Sequence, residues 1–112
     1  MKLDKELLKG ATETVVLAVL AQEPSHGYQL VQLLKRRSKG IFGFGEGTLY
    51  PVLYRLEEKG WIKGEWEDGD GQRRRRVYRV TTRGRRQLAK RTEQWAGLAR
   101  GMTLILGGPA HA

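Results

Sequence analysis

The sequence predicts a mainly helical α+β domain: three helices, a two-stranded β-hairpin and one long closing helix. Three observations carry that expectation. Apolar residues recur at helical spacing over residues 5–22, 26–37, 47–59 and 83–106. Two short alternating runs, at 61–67 and 75–81, flank the turn sequence DGDGQ. Breaks in the chain separate these stretches: Pro24, a glycine-dense segment at 38–47, and Gly60.

The first helix, 5–22, is KELLKGATETVVLAVLAQ. From Val15 to Ala21 apolar residues surround its axis, so the helix must be buried on all sides, with a second subunit as the expected cover. Gly10 is a weak point near its front. Pro24 stops this helix and Ser25 can N-cap the next, with His26 as a turn or capping residue. In the second helix, 26–37, Leu30, Leu33 and Leu34 share one face, and Lys35, Arg36 and Arg37 sit at the C-terminal end, where positive charge suits the dipole. The connector SKGIFGFGEG carries Ile41, Phe42 and Phe44 between its glycines and reads as a loop pinned by aromatics. It lacks the spacing and the preceding strand of a phosphate-binding loop.

The third helix, 47–59, is the most informative. At about 100° per residue, Leu49, Val52, Leu53 and Leu56 form a core face. Gly47, Pro51 and Tyr54 point the other way, flanked by Thr48, Tyr50 and Arg55. With Thr48 as N-cap, Pro51 falls in the first turn, where its missing N–H is harmless. The outward front then holds small or rigid groups and no acid. That shape suits a helix tip entering a DNA major groove, with exposed N–H groups and the positive dipole end toward phosphate. Packing of Tyr50 or Tyr54 against the hairpin or a second subunit is the competing reading.

In the hairpin, Ile62 and Trp66 are expected to point inward, opposite Val77 and Val80, with Trp61 and Trp66 in the hairpin core. Arg73, Arg74, Arg75 and Arg76 follow the tip. They can meet phosphates, or in part pair with Glu65, Glu67, Asp68 and Asp70. Thr81 and Thr82 cap the last helix, 83–106, where Leu88, Trp95, Leu98, Ala99, Met102, Ile105 and Leu106 form one stripe. The end, 107–112, is expected to be disordered. Helices two and three followed by a hairpin make a winged helix-turn-helix over 1–82, and 83–106 reads as a dimerisation helix.

Charge narrows the partner. The chain has 112 residues and a net charge of +9. Residues 1–72 hold 10 Lys/Arg and 11 Asp/Glu, whereas residues 73–112 hold 11 Lys/Arg and the single acid Glu93. So lopsided a field favours a polyanion, nucleic acid before an anionic membrane. There is no cysteine, which excludes disulfides and thiolate metal sites. Two histidines and the absence of a convergent carboxylate pair argue against an enzyme, a metal site or a cofactor. VVLAVLA at 15–21 is too short to span a bilayer and lacks the flanks of a secretory signal, so a cytoplasmic protein is expected. The rival function is a winged helix that docks an acidic protein partner; RNA ranks third.

ELLKGATETVVLAVLAQEPSHGYQL, GTLYPVLYRLEEKGWI and RRRRVYRVTTRGRRQL, in that order, resemble the PadR family of bacterial transcriptional regulators over residues 6–95. The resemblance implies a homodimer that represses nearby genes, often for detoxification, stress response or drug efflux. It implies DNA contacts by Thr48, Tyr50 and Pro51, by Tyr28 near the backbone, and by the wing arginines. The wing departs from the family's usual lysine before its tyrosine pair, reading Arg-Arg-Val-Tyr instead. The length resembles the short subgroup, in which the first and last helices form the dimer, here through Val15, Val19, Leu88, Trp95, Leu98, Ala99, Met102 and Ile105. Some members of that subgroup bind flat aromatic drugs through a tryptophan on the last helix, which maps to Trp95.

Overall fold

A computed structural model describes residues 10–69, 71 and 74–108. Residues 5–9 of the expected first helix, Asp70 and Gln72 of the expected turn, Arg73, and the tail from 109 lie outside the described residues. The elements are α1 (Ala11–Gln22), β1 (Ser25–His26), α2 (Gly27–Arg37), α3 (Glu46–Glu58), β2 (Ile62–Asp68), β3 (Arg74–Val80) and α4 (Thr82–Leu106). The fold is the expected winged helix-turn-helix with a long last helix.

The helices form because their apolar positions converge on one core. Val16, Leu17 and Leu20 of α1, Leu30 and Leu33 of α2, Leu49, Leu53 and Leu56 of α3, and Ile62 of β2 are all buried. Burying each such side chain contributes about 1.5–3 kcal/mol relative to leaving it in water. The all-round apolar α1 finds most of its cover inside its own chain. Val15, Ala18 and Ala21 remain half-buried, while Val19, expected at a subunit interface, is only 6% exposed.

The sheet has three strands rather than two, in the order β1-β3-β2, all antiparallel. Ser25 pairs with Tyr78 and His26 with Val77. A two-residue strand carries no periodicity, so this edge is invisible in the sequence. The cap shifts with it. Ser25 is buried and its hydroxyl donates to the Glu23 carbonyl, while His26 caps α2, its Nδ1 accepting from Gln29 N–H at 3.2 Å.

In the β2–β3 register Ile62 faces Val80, Gly64 faces Tyr78 and Trp66 faces Arg76. Tyr78, not Val77, is therefore the buried residue of β3, and Val77 lies half-buried on the other face. Trp66 was expected in the hairpin core, but the wing runs past the body before reaching it and it is 57% exposed.

Two helix starts depend on glycine or on its neighbours. Gly45 N-caps α3 without a side-chain bond, so the cap lies three residues before Thr48 and the helix begins one residue earlier than expected. Pro51 consequently lies inside α3, with no N–H to give to the Gly47 carbonyl one turn back. Thr81 caps α4, its hydroxyl accepting from Gly84 N–H at 3.0 Å. Gly84 is buried, and a Cβ there would overlap the Trp61 carbonyl, so only glycine lets α4 start against the sheet.

One carboxylate joins three helices. Glu13, in the first turn of α1, lies 3.2 Å from Lys59 Nζ beyond α3, 3.7 Å from Arg55 Nε of α3, and 3.0 Å from Arg91 Nη1 of α4. Lys59 Nζ and Arg91 Cζ also approach the Trp61 ring centroid, at 4.6 and 4.9 Å, within cation–π range. Burial alone would raise the Glu13 pKa, but the Lys59 hydrogen bond and the charges of Lys59 and Arg91 outweigh it and hold the group below its ordinary 4.5. Glu13→Gln should therefore lower the unfolding free energy at neutral pH by about 2–3 kcal/mol. Because the folded pKa is depressed, the contribution is complete above the unfolded value near 4.5 and is lost as pH falls through the folded one. Denaturant titrations of both proteins across acid pH should show their stability gap closing only in that range.

Candidate nucleic-acid interface

The outer face of α3 is open. Gly47, Thr48, Pro51 and Arg55 are exposed, Tyr50 is 43% exposed and Tyr54 is 65% exposed. The tip is not free of acid, however. Because α3 starts early, Glu46 is its exposed first residue and offsets part of the dipole's positive end.

Tyr50 is positioned by the preceding helix. Its ring crosses Gly27, the first residue of α2, so closely that a Cβ at Gly27 would overlap its hydroxyl and lie 2.6 Å from its Cζ. The glycine of the HGYQ segment thus seats the α3 tyrosine. Next to it, Tyr28 is 60% exposed.

The wing stands beside this face. Tyr50, Pro51, Tyr54, Glu57 and Glu58 of α3, with Arg76 and Tyr78 of β3, line an open cleft of about 730 Å³. Glu57 spans it: one of its oxygens accepts from Arg76 Nη2 at 2.6 Å and from Gly64 N–H at 3.1 Å. A Cβ at Gly64 would lie 2.5 Å from Arg76 Nε, so the glycine makes room for the guanidinium. Burial pushes the Tyr78 hydroxyl's pKa up, Arg76 opposing it and Glu57 adding to it.

The wing arginines have separate settings. Arg74 lies 3.8 Å from Asp68, and the two side chains are 65% and 94% exposed, so this pair is weak. Arg75 points to the other face of the wing, with Nη1 3.5 Å from His26 Nε2. Burial first, and the nearby Arg75 charge second, hold the His26 pKa below its ordinary value. That favours the neutral ring, the form able to accept the capping bond. Arg76 pairs with Glu57 rather than with a wing acid, and Glu67 is taken by Arg79 at 3.2 Å.

The expected residues therefore fall into groups. Tyr50, Pro51, Tyr54 and Arg76 surround one cleft. Thr48 stands at the helix tip, Arg55 leans toward Glu13 on the other flank, and Arg75 faces away. Trp95, Leu98, Ala99, Met102 and Ile105 lie far along α4, whereas Leu88 packs on the core. Sequence reasoning missed Glu13, Glu57 and Tyr78. An acid at position 13, two residues before an all-apolar run, was the available signal for the first. Among the described residues, no group of three or more His, Asp or Glu side chains could hold a metal, and no helix is long and apolar enough to cross a membrane.

An exposed helix of a helix-turn-helix beside a basic β-wing defines a winged-helix regulator. The transcriptional regulator PadR-like family matches residues 16–90, and the chain belongs to that family. It is 37% identical over 107 residues to transcriptional regulator Rv3488 of Mycobacterium tuberculosis, covering 96% of this chain and 94% of that protein. The crystal structure of a PadR-like transcriptional regulator from Bacillus cereus superposes with a TM-score of 0.81 at 28% identity, covering 94% of this chain and all of that one. A PadR family regulator from Eggerthella lenta superposes with a TM-score of 0.77 at 38% identity, covering 90% and 86%.

The Gly27–Tyr50 seat is testable by coupling. Gly27→Ala alone should destabilise the fold by about 1–3 kcal/mol as the ring is displaced. In a Tyr50→Ala background the same change should cost little. Thermal denaturation of the four proteins of that cycle measures the coupling, and simple additivity would contradict the seat.

Proposed function

We propose that the chain is a homodimeric, DNA-binding repressor that recognises an inverted-repeat operator. The observation that carries this reading is the exposed outer face of α3 beside an arginine-bearing wing, in a chain of the PadR-like family. In this reading α3 enters the major groove, with Thr48, Tyr50, Pro51 and Tyr54 toward DNA, while Arg55 is drawn toward Glu13 on the other flank. Tyr28 and at least one wing arginine, with Arg74 the least tied within the fold, meet the backbone. No enzymatic step, cofactor or membrane is involved, and the cytoplasm is the compartment.

The second half of α4 supports the dimer. From Glu93 to Leu106 every residue except Gly101 is exposed, and Leu98, Met102 and Ile105 are exposed by 53%, 51% and 86%. An apolar stripe of that length is unstable in water without a partner. A second copy buries it against the same stripe, with Trp95 and Ala99 and with the half-buried Val15 of α1 nearby. Twofold symmetry then requires two half-sites of opposite orientation.

Trp95, 38% exposed on that stripe, supports a further element of the reading: a planar aromatic effector that stacks on it and relieves repression.

Fluorescence-anisotropy titration of duplex fragments at several salt concentrations tests the partner. The expected result is a fall in log K with log salt of about one unit per phosphate neutralised. Tyr50→Ala combined with Arg74→Ala should weaken binding by tenfold or more and reduce that slope by about one, with the dimer intact. Absence of DNA binding at low salt, with binding to acidic polypeptides instead, would favour a protein-docking winged helix. For the effector, a panel of planar aromatic cations should include compounds that quench the tryptophan fluorescence, and Trp95→Ala should lower their affinity. A panel without any response would remove the effector.

A further inference from the structure

Trp66 is a large side chain of the wing that the core does not cover. It sits on β2 beyond the last buried wing position and is 57% exposed. Its cross-strand neighbour is Arg76, whose guanidinium carbon lies 5.5 Å from the indole centroid; that of Arg74 lies 5.7 Å away. Both are within cation–π range, so the ring is flanked by two positive groups yet keeps more than half its surface in water.

The position of the ring gives that exposure a use. Trp66, Gly64 and Ile62 share one face of β2; Trp66 stands beside Arg76, which lines the cleft, and the Gly64 N–H reaches Glu57 of α3. When a helix occupies a major groove and its wing reaches the neighbouring minor groove, the sugar–phosphate strand between the two grooves must cross the surface joining helix and wing. Here that surface is the cleft lined by Tyr50, Tyr54 and Tyr78. Its main acid, Glu57, is already neutralised by Arg76 and by the Gly64 N–H, which leaves Glu58 as the cleft's carboxylate without an ion pair among the described residues. Arg74 is held only by an exposed, 3.8 Å pair with Asp68, which a phosphate can displace.

We propose that this cleft holds the DNA strand that separates the two grooves, with Trp66 lying against a deoxyribose as its apolar anchor and Arg74 taking the adjoining phosphate. Arg76 is the positioning residue: bound to Glu57, it sets the wing at the distance from α3 that admits one strand. The proposal rests on the DNA-binding reading above and adds a contact that reading does not contain.

The test uses the full chain labelled with 5-fluorotryptophan. The 19F resonance lost in Trp66→Phe identifies Trp66. Adding duplex DNA at low salt should shift that resonance and reduce its H2O/D2O isotope effect, while the Trp61 resonance stays in place. Trp66→Ala should weaken duplex binding about tenfold, with Trp66→Phe in between, and without change in the salt slope, since no charge is lost. Duplex binding that leaves the Trp66 resonance and the Trp66→Ala affinity unchanged overturns the anchor and leaves the DNA-binding reading standing. Absence of duplex binding by the unsubstituted protein overturns both.

Discussion

The geometry of this protein turns on where a single buried carboxylate sends its bonds. Glu13 sits in the first turn of α1, yet its three cations come from α3, from the residue after it and from the last helix. An uncompensated carboxylate there would be costly to bury. Three partners reverse that penalty into a positional constraint. The C-terminal end of α3 and the root of α4 are both referred to one point, and the Trp61 ring beneath Lys59 and Arg91 joins the start of the wing to it. Helix, wing and last helix thus share one electrostatic origin.

A second carboxylate repeats the device nearer the surface. Glu57 ties α3 to the wing through Arg76 and the Gly64 N–H. Both acids consume arginine charge inside the fold. The strong positive excess of residues 73–112 is therefore not all available to a partner: Arg76, Arg79 and Arg91 have internal carboxylates, whereas Arg74 is weakly held and Arg75 faces a neutral histidine. Net charge predicts the class of partner, but the pairings decide which arginines can meet it.

Glycine works at three contacts where the fold needs a missing side chain. Gly27 receives the Tyr50 ring, Gly64 the Arg76 guanidinium, and Gly84 the Trp61 carbonyl. Each brings a helix or strand of the interface closer to its neighbour than alanine would. The fold spends its close approaches on orienting the parts that face a partner, while the leucine core only holds them together.

Periodicity and punctuation in the sequence determined the element order, the core face of α3 and the open face opposite it, the Thr81 cap and the long apolar stripe of α4. These are local properties: a helical spacing or a capping hydroxyl acts within a few residues, so a linear reading captures it. What only the tertiary structure decided are the contacts between distant segments. The two-residue β1 exists because β3 passes beside it, and Tyr78 rather than Val77 is buried because pairing with Gly64 sets the register. Trp66 is exposed because the wing outruns the body, and Glu13 is satisfied by residues 42, 46 and 78 positions away. Strand register and ion-pair partners depend on chain crossings over such separations, and no short-range pattern encodes them.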